Sequence, residues 1–234
     1  MKLSGYGKKE WLGGGILAFL IGAGGMGLVQ NGFPAMGWTV AVLALTAWLA
    51  LAAFFRVPAR VVLNDPAVLL SPADGMVKDI GLVRDHGIEL YAGQDLMRIG
   101  IFLSVFDVHV NRAPCDIQVE YRRYRKGRFH DARDARCAKE NESLILAGTG
   151  YVGTDSFPVA IRQISGAVAR RIVCEPQPGT RLDRGQIYGM IKFGSRTELY
   201  FLPNENLSVV VRVGEKVCAG SNALARLDGT GKVA

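Results

Sequence analysis

The sequence has few cysteines and histidines, and one long stretch of it carries no charge. Its 234 residues include four cysteines and three histidines. The cysteines stand singly, without the spacing of metal ligands, as is typical of reduced thiols in a cytoplasmic compartment. Hydrophobic residues make up 49% of the chain and charged residues 21%, so a disordered chain is excluded. The net charge of +7 comes entirely from residues outside the uncharged stretch.

The uncharged stretch runs from Trp11 to Phe55 and is long enough for two membrane-spanning helices. The first candidate span, Trp11 to Val29, is rich in glycine, and the second, Ala35 to Phe55, is rich in leucine and alanine. The polar segment between them contains Asn31, Gly32 and Pro34, which favour a turn. Residues 1–56 are therefore predicted to form a transmembrane helical hairpin.

Basic residues lie at both outer ends of this hairpin and are absent from its turn. Lys8 and Lys9 precede the first span, and Arg56 and Arg60 follow the second. The positive-inside rule then predicts an inner cell membrane protein with both termini and the soluble domain on the cytoplasmic side. A cleaved signal peptide ending near Val29 would still leave one anchor. A buried core hairpin is disfavoured by the lack of a polar face.

Residues 57–234 have the pattern of a mostly-β domain, with a barrel or sandwich favoured over a parallel βαβ array. Short β-branched segments alternate with Gly, Pro, Asn or Asp. A brief helix over residues 160–170 competes with one of these strands. The predicted strands are Gly75–Val83, Met97–Val105, Asp116–Tyr124, Ser143–Val152, Pro158–Ile164, Arg171–Glu175, Tyr188–Phe193, Glu198–Leu202 and Ser208–Val213.

One histidine lies in a segment suited to proton transfer. Asp107, His109 and Asn111 would share one face of an extended run, because alternate side chains of a strand point to the same side. An aspartate two residues from a histidine can orient the imidazole or raise its pKa. An ordinary surface strand gives the same spacing. His86 and His130 lie in charged surroundings and are predicted to be solvated.

Two further segments combine glycine with a reactive side chain. Asp74 precedes Gly75 in a predicted turn, although Asp-Gly is a common turn pair. Gly194-Ser195 interrupts an apolar strand pattern, where glycine is unfavourable unless the backbone needs unusual freedom. A serine after a strained peptide bond can attack the preceding carbonyl and convert the amide into an ester. A β-bulge glycine with an incidental serine is the alternative.

Taken together, these segments resemble the short form of the phosphatidylserine decarboxylase proenzymes. The resemblance covers roughly residues 57–220, in consistent order, and is most specific in Gly-Met-Ile-Lys-Phe-Gly-Ser-Arg. Its motifs are Ser-Pro-Ala-Asp-Gly at 71–75, Phe-Leu-Ser…Asp-Val-His-Val-Asn-Arg-Ala-Pro at 102–114, Asn-Glu at 141–142, and this segment at 189–196. The N-terminal hairpin also suits the membrane-associated members.

The resemblance implies self-cleavage between Gly194 and Ser195, giving a β chain of residues 1–194 and an α chain of residues 195–234. Ser195 would become a covalent pyruvoyl group, the cofactor, whose carbonyl forms a Schiff base with the amine of phosphatidylserine. Carbon dioxide would leave and phosphatidylethanolamine would be released. Asp74 and His109 carry over as residues that assist processing and catalysis. Longer members have a second histidine where this sequence has Arg112, so the proton step that His109 serves is open.

The segment 121–130 is rich in basic and aromatic residues. Its cations Arg122, Arg123, Arg125 and Lys126 are predicted to bind the anionic membrane surface, at about 1 kcal/mol for each. Nucleic acid is a competing partner for such segments, but we do not expect it, because a membrane-anchored chain already has an anionic surface beside it. A solvated loop would have the same composition.

Two other functions fit parts of the sequence. A decarboxylase of a related seryl lipid, such as archaetidylserine, would use the same residues. A membrane-anchored β-sandwich without catalytic activity would act as an adaptor and keep its chain intact. A homo-oligomer is compatible with either function.

Overall fold

The computed structural model describes residues 2–131, 134, 136–167, 171–192 and 194–228. The chain divides into two compact units, Met1–Ala59 and Arg60–Ala234. The first unit contains the apolar helices and the second contains most of the strands, so each is described by itself.

The first unit is a helical hairpin closed by a short pair of strands. Helix α1, Lys8–Gln30, and helix α2, Pro34–Phe54, are long and apolar enough to cross a membrane. Strands β1, Lys2–Leu3, and β2, Arg56–Val57, pair antiparallel at the base. Only 6% of the apolar segment of the first helix is buried within the protein, and only 17% of that of the second. The exposed apolar surface indicates membrane association, and the predicted hairpin is confirmed.

The two helices approach closely where glycines face each other. A Cβ atom on Gly25 would lie 2.7 Å from the carbonyl oxygen of Gly37. Near the other end of the hairpin, Trp48 Nε1 donates a hydrogen bond to the carbonyl oxygen of Trp11 at 3.0 Å. In hydrocarbon this bond satisfies a polar group that lipid could not.

The second unit is mostly β, as predicted. Its short helices are α3, Cys137–Glu140, and a 3-10 turn at Glu89–Tyr91. Its strands are Val68–Leu70 (β3), Gly75–Val83 (β4), Leu96–Leu103 (β5), Val110–Arg112 (β6), Asp116–Arg125 (β7), Ser143–Val152 (β8), Asp155–Ser165 (β9), Arg171–Cys174 (β10), Arg181–Leu182 (β11), Ile187–Lys192 (β12), Ser195–Phe201 (β13), Leu207–Val209 (β14), Lys216–Val217 (β15) and Ala223–Leu227 (β16).

Within the described part of this unit the strands form three antiparallel sheets. The largest has eight strands in the order β11-β7-β8-β9-β13-β5-β4-β15. Two three-stranded sheets have the orders β10-β12-β6 and β14-β16-β3. The main core contains side chains of all three sheets, among them Leu199, Tyr188 and Leu69. Antiparallel sheets that share one core agree with the predicted sandwich-like class.

Several predicted elements differ from the structure. The helix proposed over residues 160–170 is wrong within the described residues, because Asp155–Ser165 is a strand; residues 168–170 lie outside them. The strand predicted to reach Val105 ends at Leu103, since the chain turns immediately afterwards. The strand expected to begin at Glu198 starts at Ser195, and Phe193 lies outside the described residues.

Candidate active site

Gly194 and Ser195 lie where the chain passes from one sheet to another. Strand β12 of a three-stranded sheet ends at Lys192, and β13 begins at Ser195 in the middle of the large sheet. Gly194 has φ +64°, a left-handed conformation that costs an L-residue about 1–2 kcal/mol. Gly194, which the sequence predicted to need unusual backbone freedom, therefore adopts a conformation that favours glycine.

Ser195 is fixed from both sides and completely buried. It pairs with Leu103 on β5 and with Ser165 on β9. Its Oγ atom has no hydrogen-bond partner among the residues that the structure describes. A buried hydroxyl without a partner is unfavourable, so it needs an explanation in function or in an unseen partner.

The imidazole of His109 lies beside the residue that precedes Ser195. Its Nε2 atom accepts a hydrogen bond from the backbone N–H of Gly194 at 3.3 Å. Its Nδ1 atom lies 2.9 Å from the carbonyl oxygen of Asp107, which can only accept, so we assign the proton to Nδ1. His109 is therefore a neutral, buried imidazole whose Nε2 lone pair points at the Gly194 amide.

The expected relation between Asp107 and His109 is corrected by the structure. The chain turns over Ser104–Asp107, and β6 begins only at Val110, so these residues do not share one extended run. The Asp107 carboxylate accepts from the backbone N–H of Ser104 at 2.8 Å. His109 Nδ1 donates the hydrogen bond that orients its ring to the Asp107 backbone carbonyl oxygen. The surface strand considered as an alternative is also wrong, since His109 is fully buried.

Asp74 is buried and paired with a cation. Both of its carboxylate oxygens accept from the guanidinium of Arg60, and Oδ1 also accepts from the backbone N–H of Ala219 at 2.9 Å. The hydrogen bond to Asp74 raises the pKa of Arg60. The next residue, Gly75, has φ +147°, and a Cβ there would lie 2.0 Å from the Phe102 carbonyl oxygen. The Asp-Gly pair thus lets the loop pass directly against β5.

Asn111 connects the three motif segments, and the sequence interpretation gave it no role. Its Nδ2 atom donates to Thr197 Oγ1 at 3.1 Å and to the Pro72 carbonyl oxygen at 3.3 Å. Its Oδ1 atom accepts from Gln163 Nε2 at 2.8 Å. The only sequence signal was its position two residues after His109. Through Asn111, the loop that carries Asp74 is joined to the strand that begins at Ser195.

Charged side chains of the large sheet lie on the face opposite to Ser195. Arg196 donates to Asp79 at 2.6 Å and to Glu198 at 2.9 Å. Burial lowers the pKa of Arg196, but the carboxylates of Glu198 and Asp79 outweigh it, and the pKa is raised. Tyr200 also donates to Glu198, at 2.6 Å. Alternate residues of β13 therefore separate a charged face from an uncharged one.

The four cations predicted to contact lipid lie along β7 and just after it, on different faces. Arg123 is exposed and paired with Glu89, and Lys126 is exposed. Arg122 and Arg125 are half-buried and donate to backbone carbonyls, Arg125 to those of residues 138 and 141 at 3.2 Å. The group does not form one continuous basic surface, and lipid contact stays a prediction.

The predicted solvation of His86 is wrong. His86 is buried, its ring accepts from the backbone N–H of Ile88 at 3.1 Å, and it packs against Tyr200 with ring centroids 6.3 Å apart. His130 is half-buried and lies 2.8 Å from Glu140. Within the described parts of the chain, neither ring has a hydrogen bond to the Ser195 hydroxyl.

Comparison with known proteins agrees with this arrangement. The sequence model of the family described as phosphatidylserine decarboxylase matches residues 49–225. A relative from Geotalea uraniireducens is 39% identical over 216 residues, which is 86% of this chain and 96% of the relative. One from Trichlorobacter lovleyi is 44% identical over 212 residues, covering 89% of this chain and 90% of the relative. Both are named phosphatidylserine decarboxylase proenzyme.

The β-rich domain and these relatives define an enzyme of the carboxy-lyase class. More particularly, the chain belongs to the phosphatidylserine decarboxylase family, because the family model covers well over half of it. A third relative so named, from Carboxydothermus hydrogenoformans, is 43% identical over 178 residues, or 75% of this chain and 79% of its own. The predicted family and enzyme class are confirmed.

Proposed function

We propose that this chain cuts its own backbone between Gly194 and Ser195 and then decarboxylates phosphatidylserine to phosphatidylethanolamine and carbon dioxide at a membrane. One observation carries the proposal. The buried Ser195 hydroxyl, without a partner among the described residues, follows a left-handed glycine whose amide contacts the neutral imidazole of His109. The nucleophile, the backbone conformation and the base that self-cleavage needs are thus close together.

Self-cleavage begins with attack of Ser195 Oγ on the carbonyl carbon of Gly194. The hydroxyl proton passes to a base, for which His109 Nε2 is the candidate once it gives up the hydrogen bond from the Gly194 N–H, and the amide becomes an ester with a free amine on residue 195. Loss of the Cα proton then breaks the Cβ–O bond and leaves a carboxylate on Gly194. Addition of water and loss of ammonia convert residue 195 into a pyruvoyl group. The products are chains of residues 1–194 and 195–234.

The surroundings of residue 195 fit this group. Its side chain points to a buried, uncharged face, and pairing with Leu103 and Ser165 fixes its backbone. A pyruvoyl group supplies a carbonyl that withdraws the electrons released when a carboxylate leaves. His109 then has the type and position of an acid that returns a proton to the substrate carbon.

Asp74 acts in this proposal by holding the loop beside the site. Its carboxylate is tied to Arg60 and to the backbone of Ala219. Two residues earlier, the Pro72 carbonyl oxygen accepts from Asn111 Nδ2 and from the Arg112 backbone N–H, the latter at 3.0 Å. These contacts support a positioning role for Asp74 and a structural one for Arg112.

The apolar hairpin suits a lipid substrate, because it anchors the enzyme at the membrane–water interface, where the lipid head group lies. The basic residues at both ends of the hairpin support a cytoplasmic catalytic domain at the inner cell membrane. Exposed Lys126 is the cation best suited to meet anionic lipid. At about 1 kcal/mol per charge, Lys126→Gln should lower activity on phosphatidylserine vesicles about fivefold at low salt and little at high salt.

The test of cleavage is the intact mass of the full chain and of Ser195→Ala. The wild-type chain should give two fragments divided at 194/195, the smaller one beginning with a keto acid. Ser195→Ala should stay whole and release no carbon dioxide, while Ser143→Ala, which removes another buried serine hydroxyl, should be cut normally. A decarboxylating Ser195→Ala protein would refute the proposal.

A further inference from the structure

A cluster of uncharged polar side chains surrounds Ser195 on the face of the large sheet that packs against the main core. Ser195 and Thr197 point to this face from β13, and their cross-strand partners Ser165 and Gln163 point to it from β9. Asn111 reaches it from β6 of the facing sheet. All five side chains are essentially inaccessible to solvent.

Some polar side chains of this cluster are hydrogen-bonded to each other, whereas others have an atom without a partner among the described residues. Asn111 binds Thr197 and Gln163, as described above. The atoms Ser195 Oγ, Ser165 Oγ and Gln163 Oε1 have no partner among the residues that the structure describes. Ser165 is nevertheless fixed in place, because Asn141 Nδ2 donates to its carbonyl oxygen at 2.7 Å. One unpartnered group, Ser165 Oγ, thus lies opposite Ser195, and the other, Gln163 Oε1, belongs to the residue opposite Thr197 on the same face.

These two groups have complementary hydrogen-bonding character. The Ser165 hydroxyl can donate, whereas the Gln163 amide oxygen can only accept. The serine head group has matching groups on one carbon: a carboxylate that can accept a hydrogen bond and an amine that can donate one. The substrate amine must also come to residue 195, which lies directly opposite Ser165.

We propose that Ser165 and Gln163 form the subsite for the serine head group, with the Ser165 hydroxyl donating to the carboxylate and Gln163 Oε1 accepting from the amine. This inference rests on the proposed function. It makes Ser165 a residue that distinguishes the substrate, which has a carboxylate, from the product, which does not.

Among the described residues, β13 places no charged side chain on the face of Ser195, and this suits the reaction. A cation beside the carboxylate would stabilise the bound substrate more than the transition state, in which that charge moves away, and would slow the reaction. Among the described residues of β13, the charged side chains Arg196 and Glu198 lie on the opposite face. A hydroxyl holds the carboxylate in place at a smaller cost to the rate.

The subsite is closed in the uncut chain, since Ser165 and Ser195 are fully buried. Cleavage after Gly194 releases the chain end that leads into Ser195. In this proposal the head group enters only after cleavage, and the Ser165 hydroxyl has no part in the cleavage itself.

The experiment compares full-length Ser165→Ala with the wild-type enzyme. Gel analysis and intact mass should show normal cleavage and a normal keto-acid terminus in the variant. The KM for phosphatidylserine in mixed vesicles should rise about 10- to 100-fold, the loss of one hydrogen bond to a charged group. Competitive inhibition by phosphatidylethanolamine should stay unchanged, because that lipid has no carboxylate.

Two variants act as controls. Ser165→Thr keeps the hydroxyl and should recover most of the affinity for phosphatidylserine. Ser143→Ala removes a buried hydroxyl on β8, at a position opposite Ile164 and thus on the other face, and should leave KM unchanged. If Ser165→Ala does not fold, Ser165→Cys, a near-isostere that donates weakly, should show the same selective rise in KM.

Three results would overturn the inference. They are an unchanged KM in Ser165→Ala, an equal weakening of substrate and product, and a failure of cleavage while Ser143→Ala is cut. If the wild-type chain itself is neither cut nor active, the proposed function fails instead. An active wild-type enzyme beside an unaffected Ser165→Ala variant rejects the subsite alone.

Discussion

Substituting alanine for Gly194 tests whether the left-handed backbone before Ser195 is needed for cleavage. A Cβ on Gly194 would meet Val105 Cγ1 at 3.7 Å, an ordinary contact, so alanine causes no steric clash there. The whole effect comes from φ +64°, which costs an L-residue about 1–2 kcal/mol. If cleavage proceeds from this conformation, its population and the cleavage rate should fall about 5- to 30-fold.

The assay is a pulse-chase of freshly translated full-length chain, with the uncut fraction followed by gel. Gly194→Asn should be intermediate, because asparagine enters the left-handed region more easily than alanine. Gly93→Ala is the matched control: Gly93 has φ +82° and open space around it, so it carries the same strain at a surface turn. Cleavage of Gly194→Ala at the wild-type rate would refute the reasoning, and so would equal slowing by Gly93→Ala.

Three further outcomes follow from buried polar and thiol groups. Asn111→Ala should lower the free energy of unfolding by about 1–3 kcal/mol, measured by urea titration, because it leaves buried partners unsatisfied. Arg60→Met should cost about 3–5 kcal/mol in the same titration, since it leaves the Asp74 carboxylate buried without its cation; a wild-type midpoint would contradict this. Burial raises the pKa of Cys115 from 9.0 to about 12, so above pH 9.0 the unfolded chain loses a proton that the folded chain keeps. Stability should therefore fall by about 1.4 kcal/mol per pH unit in that window, and Cys115→Ala should remove this part of the slope.

The sequence was informative where the signal is local. The hairpin follows from apolar length, and most strands follow from β-branched segments between turn residues. The brief helix proposed over 160–170 failed because Val159 through Ser165 are all buried. A strand buried on both faces loses its alternation of polar and apolar residues, and Ala160 and Arg162 then fit a helix equally well.

The site was predictable in its motifs and not in its contacts. His109, Gly194 and Ser195 were singled out from local sequence patterns and given their roles by the resemblance, and the structure adds the hydrogen bond between Gly194 and His109. Ser165 and Gln163 had no sequence signal, because only the register of two strands about 30 residues apart in the chain places them opposite Ser195 and Thr197. In contrast, the distribution of the basic segment over two faces could have been predicted, because a strand was predicted there and alternate residues of a strand point to opposite faces.

The position of β13 has a consequence for the proposed two-chain enzyme. The segment after Ser195 supplies an inner strand of the large sheet and, through β14 and β16, two strands of another sheet. Both fragments therefore contribute strands to the same sheets and stay associated as long as these sheets are folded. After complete unfolding, however, the two fragments are separate molecules, and refolding requires them to associate again. Heat or denaturant should therefore inactivate the two-chain enzyme far less reversibly than the uncut chain.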